Sequence, residues 1–351
     1  MSKVLRSAVI GTGVISKEHL SFLSQSPMAS LVGICDLSPI AAEYNTERYQ
    51  ATSAYTSHKE MLEAAQPDIV HILTPPHTHK RLAMDCLEAG AHVICEKPVA
   101  TSYEELQEVL AFAQERDRYV IEDHNYRFNE PILAIDRLIQ AGTLGNIRDV
   151  EVRMALNIRE GGRYADPNLP SPAHRLPAGV IHEFITHLCY LTLHFVPDFE
   201  KVTAVWSNHG GGDLFKYDDL DALVIGQNTH ARIRFSPFTQ PDCFFVCVRG
   251  DKGQAETDLF QPYLRCVVPR VGGKQLSPLV NHFVGGVGLC GSSIRNFRNK
   301  VMQKTPYEGL HRLLGQTYQA LAENSSPPIS YADMAQVSRL VDALLEENNR
   351  A

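Results

Sequence analysis

No surplus of positive charge, no CxxC cysteine pair and no long apolar run occur in this sequence, and each absence removes a class of function. The formal net charge is −7 with 15 histidines, so no basic surface invites nucleic acid. The eight cysteines include Cys243 and Cys247, which can share a strand face, but two thiols without a second pair make a weak metal site. Reduced thiols of a cytoplasmic protein are the better reading. Lys3 and Arg6 precede only Ala8-Val9-Ile10 before a glycine intervenes, so no signal-peptide apolar region is expected. The longest uncharged stretch, Leu276–Ile294, carries Asn281, His282 and four glycines. It is too short and polar for a membrane span, which needs about 20 mostly apolar residues. There is no internal repeat and no low-complexity segment.

What remains is an ordinary globular composition, 44% hydrophobic and 21% charged, over 351 residues. That length suits two domains at roughly 100–200 residues each. Ala8-Val9-Ile10 reads as a first strand, and Gly11-Thr12-Gly13-Val14-Ile15-Ser16 follows directly, with helical spacing over 14–25. Strand, glycine turn and helix form the context that gives this motif meaning. Gly11 permits the turn, Gly13 lets the backbone approach a pyrophosphate, and Ser16 is small enough for helix–strand packing. A helix N-terminus behind them offers N–H groups to phosphate.

The second strand, Leu31–Cys35, ends on Asp36, 25 residues after Gly11, where an acid can bind ribose hydroxyls. Leu37, Ser38, Pro39 and Ile40 are not basic, so nothing adjacent welcomes a 2′-phosphate and NAD is expected over NADP. Strand–helix alternation continues to about residue 123. Strand 68–73 runs into Thr74-Pro75-Pro76-His77-Thr78-His79. A short apolar strand, Val93–Cys95, delivers Glu96 and Lys97 before Pro98 stops it. In an open α/β sheet, ligands sit at the carboxyl ends of such strands. A lysine there can orient or polarise an oxygen, and a surface ion pair with Glu96 is the plain alternative. His79 reads equally as a cofactor neighbour and as a helix-start residue.

Taken together, residues 11–16, Asp36, the Thr74–His79 run, residues 88–93 and Glu96-Lys97-Pro98 resemble the glucose–fructose oxidoreductase/inositol dehydrogenase/MocA family. The resemblance is close over the first 130 residues. It implies an NAD(P)-dependent oxidoreductase acting on a sugar, polyol or similar alcohol. A Rossmann domain (1–123) would be followed by an α/β substrate-binding and oligomerisation domain (124–351) on a large open, mainly antiparallel sheet. Gly11, Gly13, Val14, Ile15, Asp36, Thr74, Pro75, His79, Glu96 and Lys97 would contact the cofactor. Asn125-Tyr126-Arg127 matches the family's aromatic–arginine segment near the active-site mouth, and a domain hinge is the other reading.

In the second half, residues 159–177 form a polar, proline-rich loop with Arg159, Arg163 and Arg175, able to meet an anionic substrate group or simply to be solvated. Glu183 and His187 stand at i and i+4 on one helix face, where a carboxylate can orient an imidazole for general-base work. The resemblance puts His187 and Lys97 at the reacting carbinol, with Glu183 where aspartate is usual and only Gly179 left of a glycine run. His182-Glu183 resembles the start of a zinc motif. The next histidine, however, lies about 140° round the helix from His182, so zinc is rejected. Residues 283–291, apolar and glycine-rich, read as an interface or a loop over the site. An antiparallel sheet usually buries one face on its own helices, so a homodimer or homotetramer through an apolar second face is expected. A catalytically silent NAD- and ligand-binding sensor of the same fold is the alternative function.

Overall fold

The computed structural model describes residues 3–159, 161, 162, 164–166, 168, 171–270, 273–302 and 307–348. The chain divides into two compact units, Met1–Asn125 with Tyr307–Arg339, and Tyr126–Pro306 with Leu340–Ala351. The expected division placed everything after residue 123 in the second domain. The first unit instead takes back a C-terminal segment.

Unit 1 is built on β1 (Leu5–Ile10), β2 (Ala29–Cys35), β3 (Ala54–Tyr55), β4 (Ile69–Ile72), β5 (His92–Cys95) and β6 (Val120–Glu122). They pair in parallel in the order β3-β2-β1-β4-β5-β6. Helices α1 (Ser16–Gln25), α2 (Pro39–Tyr49), α3 (His58–Ala65), α4 (His79–Glu88) and α5 (Tyr103–Glu115) make the crossovers. The strands are near-continuous apolar runs because both faces are covered, and all of Ile69–Ile72 is buried. Ser38, Ser57 and Ser102 cap three of the helices, accepting from the N–H groups of Ala41, Glu60 and Glu105. The strand order reverses between β1 and β4, so the crevice that such sheets offer to ligands opens at Gly11 and Thr74.

Unit 2 contains α6 (Glu130–Gln140), β7 (Ile147–Ala155), α7 (Val180–Phe195), β8 (Phe199–Ser207), β9 (Asp219–Gly226), β10 (His230–Ser236), β11 (Cys243–Gly250), β12 (Gln254–Asp258), β13 (Arg265–Val267) and α8 (Gly273–Val301). The sheet order is β13-β12-β11-β7-β10-β9-β8, antiparallel except for the β7–β10 pair. α9 (Glu308–Ala322) packs on α1 in unit 1, and α10 (Tyr331–Asn348) closes the chain. Among the described residues no helix is long and apolar enough to cross a membrane.

One face of the second sheet is a core. Val150, Val152, Ile233, Phe235, Phe244 and Val246 are buried there, and α7 packs on β7 and β10. The opposite face is mixed, with exposed Val205 and Leu223 beside charged residues. It carries Arg232–Asp221, Arg234–Asp219, Arg249–Glu151 and Arg265–Glu256 ion pairs. Exposed pairs contribute only about 0.2–1 kcal/mol each, against about 1.5–3 kcal/mol for each large apolar side chain buried on the α7 side. Of the two readings of residues 283–291, the loop is excluded, since they lie inside the long helix α8.

Candidate active site

In unit 1, Gly11 adopts a φ of +95° and donates its N–H to the Cys35 carbonyl at 2.8 Å. A Cβ here would lie 2.8 Å from Thr74 Cγ2 and 2.9 Å from the Leu73 carbonyl oxygen. Glycine alone therefore fits between the ends of β1 and β4. Gly13 differs, since a Cβ on it would meet only Leu73 O at 4.0 Å. Val14 beside it is 69% exposed, so the backbone of Gly13, Val14 and Ile15 stands open to a ligand. Buried Ser16 donates to Gly13 O at 2.7 Å and closes the turn onto α1. Gly11→Ala should cost about 1–3 kcal/mol of folding stability and weaken NAD binding. Gly13→Ala should weaken NAD binding with the thermal midpoint unchanged. Differential scanning fluorimetry with and without NAD checks both, and equal midpoint losses would remove the distinction.

Asp36 is tied to this turn. Its Oδ2 accepts from the Thr12 N–H at 2.8 Å and the Thr12 hydroxyl at 2.6 Å, and its Oδ1 from the Ser38 N–H at 2.9 Å. Burial opposes its ionisation, but these three donors prevail and hold the carboxyl below its ordinary range. A carboxylate offers about four acceptor directions, so one on Oδ1 is left for an incoming hydroxyl. Leu37 and Ile40, 93% and 79% exposed, give apolar surface alongside.

The loops after β4 and β5 are joined by His79. Its Nδ1 lies 2.7 Å from Pro98 O and its Nε2 2.6 Å from Thr74 O. The ring is fully buried, so His79 holds the Thr74-Pro75 and Lys97-Pro98 loops in place and presents no ring surface to a ligand. Burial lowers its pKa, while the two carbonyls, Glu96 and Glu122 act in the opposite direction. Lys97 is half-buried and precedes a cis peptide bond to Pro98.

Behind Glu96 runs a buried polar chain whose proton positions follow from one end to the other. Tyr318, on α9, donates to Ser7 Oγ at 2.7 Å, and Ser7 donates to Leu5 O at 3.1 Å. The Tyr318 oxygen then accepts from His71 Nε2 at 2.9 Å, which makes His71 Nδ1 the acceptor for His19 Nδ1–H at 2.8 Å. Burial, with His19 alongside, pushes the His71 pKa well down, so His71 stays neutral as this order requires. His19 Nε2 lies 3.9 Å from Glu96 Oε1 and 4.0 Å from Asp123 Oδ2. Burial works against Glu96 ionisation, but His19 and the Lys97 charge prevail and hold its carboxyl at about 2. Burial and the Glu96 charge push Asp123 well above the carboxylate range. These three side chains are the group among the described residues with metal-ligand spacing. Ligand atoms about 2.0–2.2 Å from a small divalent ion lie about 3–3.6 Å apart, closer than these, so the arrangement suits shared protons better than a metal.

In unit 2, α7 presents Glu183 and His187 on one half-buried face. The Tyr190 hydroxyl meets His187 Nδ1 at 2.9 Å, and Tyr164 donates to Glu183 Oε1 at 2.9 Å. Tyr126 packs edge-on against His187 with ring centres 5.1 Å apart, and its N–H donates to the Tyr190 oxygen at 3.3 Å. His182, by contrast, is 1% exposed on the core side of α7, so the two histidines lie on different faces as the helical spacing requires. Arg159 is committed to buried Asp218 at 2.9 Å. Arg175 is exposed at the end of a short 3-10 turn, Arg163 lies outside the described residues, and Arg127 is half-buried. Asn125 is buried at the start of the 3-10 turn Asn125–Phe128.

Within each unit the contacts are specific: Thr12 ties Asp36 to the Gly11 turn, His79 ties Thr74 to Pro98, and Tyr126 meets His187. Sequence reasoning missed Tyr190, which the i+3 spacing from His187 could have revealed. It also missed His19, Asp123 and Tyr318, for which no local signal exists.

Comparison with known proteins follows the same division. Residues 5–124 match the oxidoreductase family with an NAD-binding Rossmann fold. D-glucoside 3-dehydrogenase of Escherichia coli is 33% identical over 147 residues, spanning 42% of each chain, so this chain matches under half the length of that relative. Trans-1,2-dihydrobenzene-1,2-diol dehydrogenase of Bos taurus is 27% identical over 257 residues, 72% of this chain and 73% of that one. The structure of levoglucosan dehydrogenase in complex with NADH and L-sorbose superposes with a TM-score of 0.81 at 20% identity, covering 99% of this chain and 97% of that one. At that identity the likeness shows the fold.

Proposed function

We propose, from the match of residues 5–124 to the oxidoreductase family with an NAD-binding Rossmann fold, that the protein is an NAD-dependent oxidoreductase interconverting a CH–OH group and a carbonyl on a sugar, polyol or related alcohol. The observation that carries this reading is the Asp36 carboxylate, locked by Thr12 onto the Gly11 turn with one acceptor direction open. Sugar and diol dehydrogenases among the relatives support the substrate class. NAD, when bound, supplies the hydride acceptor. The chain's own residues have separate tasks. Lys97 holds the substrate oxygen and stabilises negative charge growing on it. His187 takes the hydroxyl proton in the oxidation, its ring oriented by Tyr190. Tyr126, Asn125, Arg127 and Arg175 would shape the substrate end. The proposal includes self-association as a homodimer or homotetramer and residence in the cytoplasm.

NAD reduction followed spectrophotometrically against a panel of sugars and polyols tests the reading. Turnover of any member supports it, while tight NAD binding with no turnover across the panel would favour the sensor alternative. Asp36 should also set cofactor choice, because a fixed negative charge repels a 2′-phosphate. NAD(H) should bind at least about tenfold more tightly than NADP(H), a difference of about 1.4 kcal/mol. Fluorescence titration giving equal affinities would take Asp36 out of that role.

A further inference from the structure

α8 is an amphipathic helix turned the wrong way round. Its inward stripe is polar: Ser277 accepts from the Arg270 N–H at 2.8 Å, Asn281 donates to Val268 O at 2.8 Å, and Asn296 donates to Pro262 O at 2.9 Å. Its outward stripe is apolar. Val280, Phe283, Val287, Cys290, Ile294 and Phe297 follow one another at alternating steps of three and four, and Leu276 and Val301 continue the series at its ends. Phe283, Ile294 and Phe297 are 73%, 71% and 71% exposed. A strict 3.5-residue repeat is the pattern of a coiled-coil seam, and here it faces solvent along the whole helix.

We propose that this seam pairs with the same seam on a second copy of the chain, as an antiparallel two-helix coiled coil. Three observations select that occupant. Leu276, Phe283, Val287, Ile294, Phe297 and Val301 of the seam are each more than half exposed, a continuous apolar strip beyond scattered surface hydrophobics. The 3.5-residue period matches a helix as partner, whereas a lipid surface needs only a broad apolar face. Finally, α8 contains no acidic residue, and Arg295, Arg298 and Lys300 crowd its last two turns. Parallel pairing would set these cations side by side, while antiparallel pairing sends them to opposite ends. The pairing is two-fold and self-complementary, so it closes as a dimer. Full overlap of 276–301 places the two Cys290 residues within about 5 Å of each other along the axis at 1.5 Å per residue.

Sedimentation velocity on the full chain across the micromolar range tests this, beside a Phe283→Glu/Phe297→Glu variant. Both positions are exposed, so the variant should keep the wild-type circular dichroism and thermal midpoint. The wild type should run as a dimer, and the variant should dissociate at least 100-fold more readily. A short bismaleimide should link wild-type dimers, and Cys290→Ser should abolish the link. A wild-type monomer, a variant that remains dimeric, or a dimer that resists linkage through Cys290 would each overturn the pairing. So would a monomer that binds phosphatidylserine vesicles through this face, since the occupant would then be lipid.

Discussion

Replacing Lys97 with alanine should lower kcat by about 10³-fold or more, the range found when a preorganised donor to a developing oxyanion is removed. The effect should exceed that of losing a neutral donor, because a full positive charge leaves a partly desolvated position after β5. NAD affinity should change less than tenfold, since the glycine turn and Asp36 lie on other loops. Lys97→Arg should restore the charge but not the rate, as a planar guanidinium cannot replace a compact ammonium at one oxygen. Lys97→Ala also removes the charge that helps hold the Glu96 carboxyl down at about 2, so Glu96 should titrate upward in that variant. Steady-state kinetics with a competent substrate, beside NAD titration, decides the matter. Near-normal turnover in Lys97→Ala would end the assignment.

His187→Ala carries the second large expectation, a fall in kcat of roughly 10²–10⁴-fold, typical of a lost general base. Tyr190→Phe should produce a smaller loss, of about tenfold, because the ring remains but the 2.9 Å contact at Nδ1 that fixes its orientation is gone. The pairing of a large and a small loss distinguishes proton transfer from packing. A merely structural His187 would lower the thermal midpoint and the rate together, whereas a half-buried base on an otherwise intact α7 should leave stability nearly unchanged. If His187→Ala turns over normally, Tyr126, 5.1 Å away ring to ring, is the next candidate.

The parts of this site that were readable in the chain are those set by neighbours in sequence. Gly11, Gly13 and Asp36 are tied to a strand–turn–helix pattern, and their geometry follows from φ and from a short β2 strand ending on an acid. Lys97 is announced by an apolar strand and a proline, and His187 by helical spacing from Glu183. In α8 one of the two sequence readings fails: apolar, glycine-rich 283–291 is no loop but helical, held by Ser277, Asn281 and Asn296 to the edge of its own sheet. Tertiary contacts outweighed propensity, which at about 1 kcal/mol per glycine is a weak prior.

By itself the sequence determined the parallel nucleotide-binding sheet and singled out Asp36 and the two side chains proposed for the chemistry, because periodicity, turns and motif spacing act over a few residues. Only the tertiary structure decided that α9 returns to the first unit, that the open sheet face carries paired charges, and that Ser7, Tyr318, His71 and His19 share one buried hydrogen-bonded chain ending about 4 Å from Glu96 and Asp123. Those groups lie up to 311 residues apart at Ser7 and Tyr318. Nothing local links them, and they meet because burial leaves each polar atom no partner but another buried one.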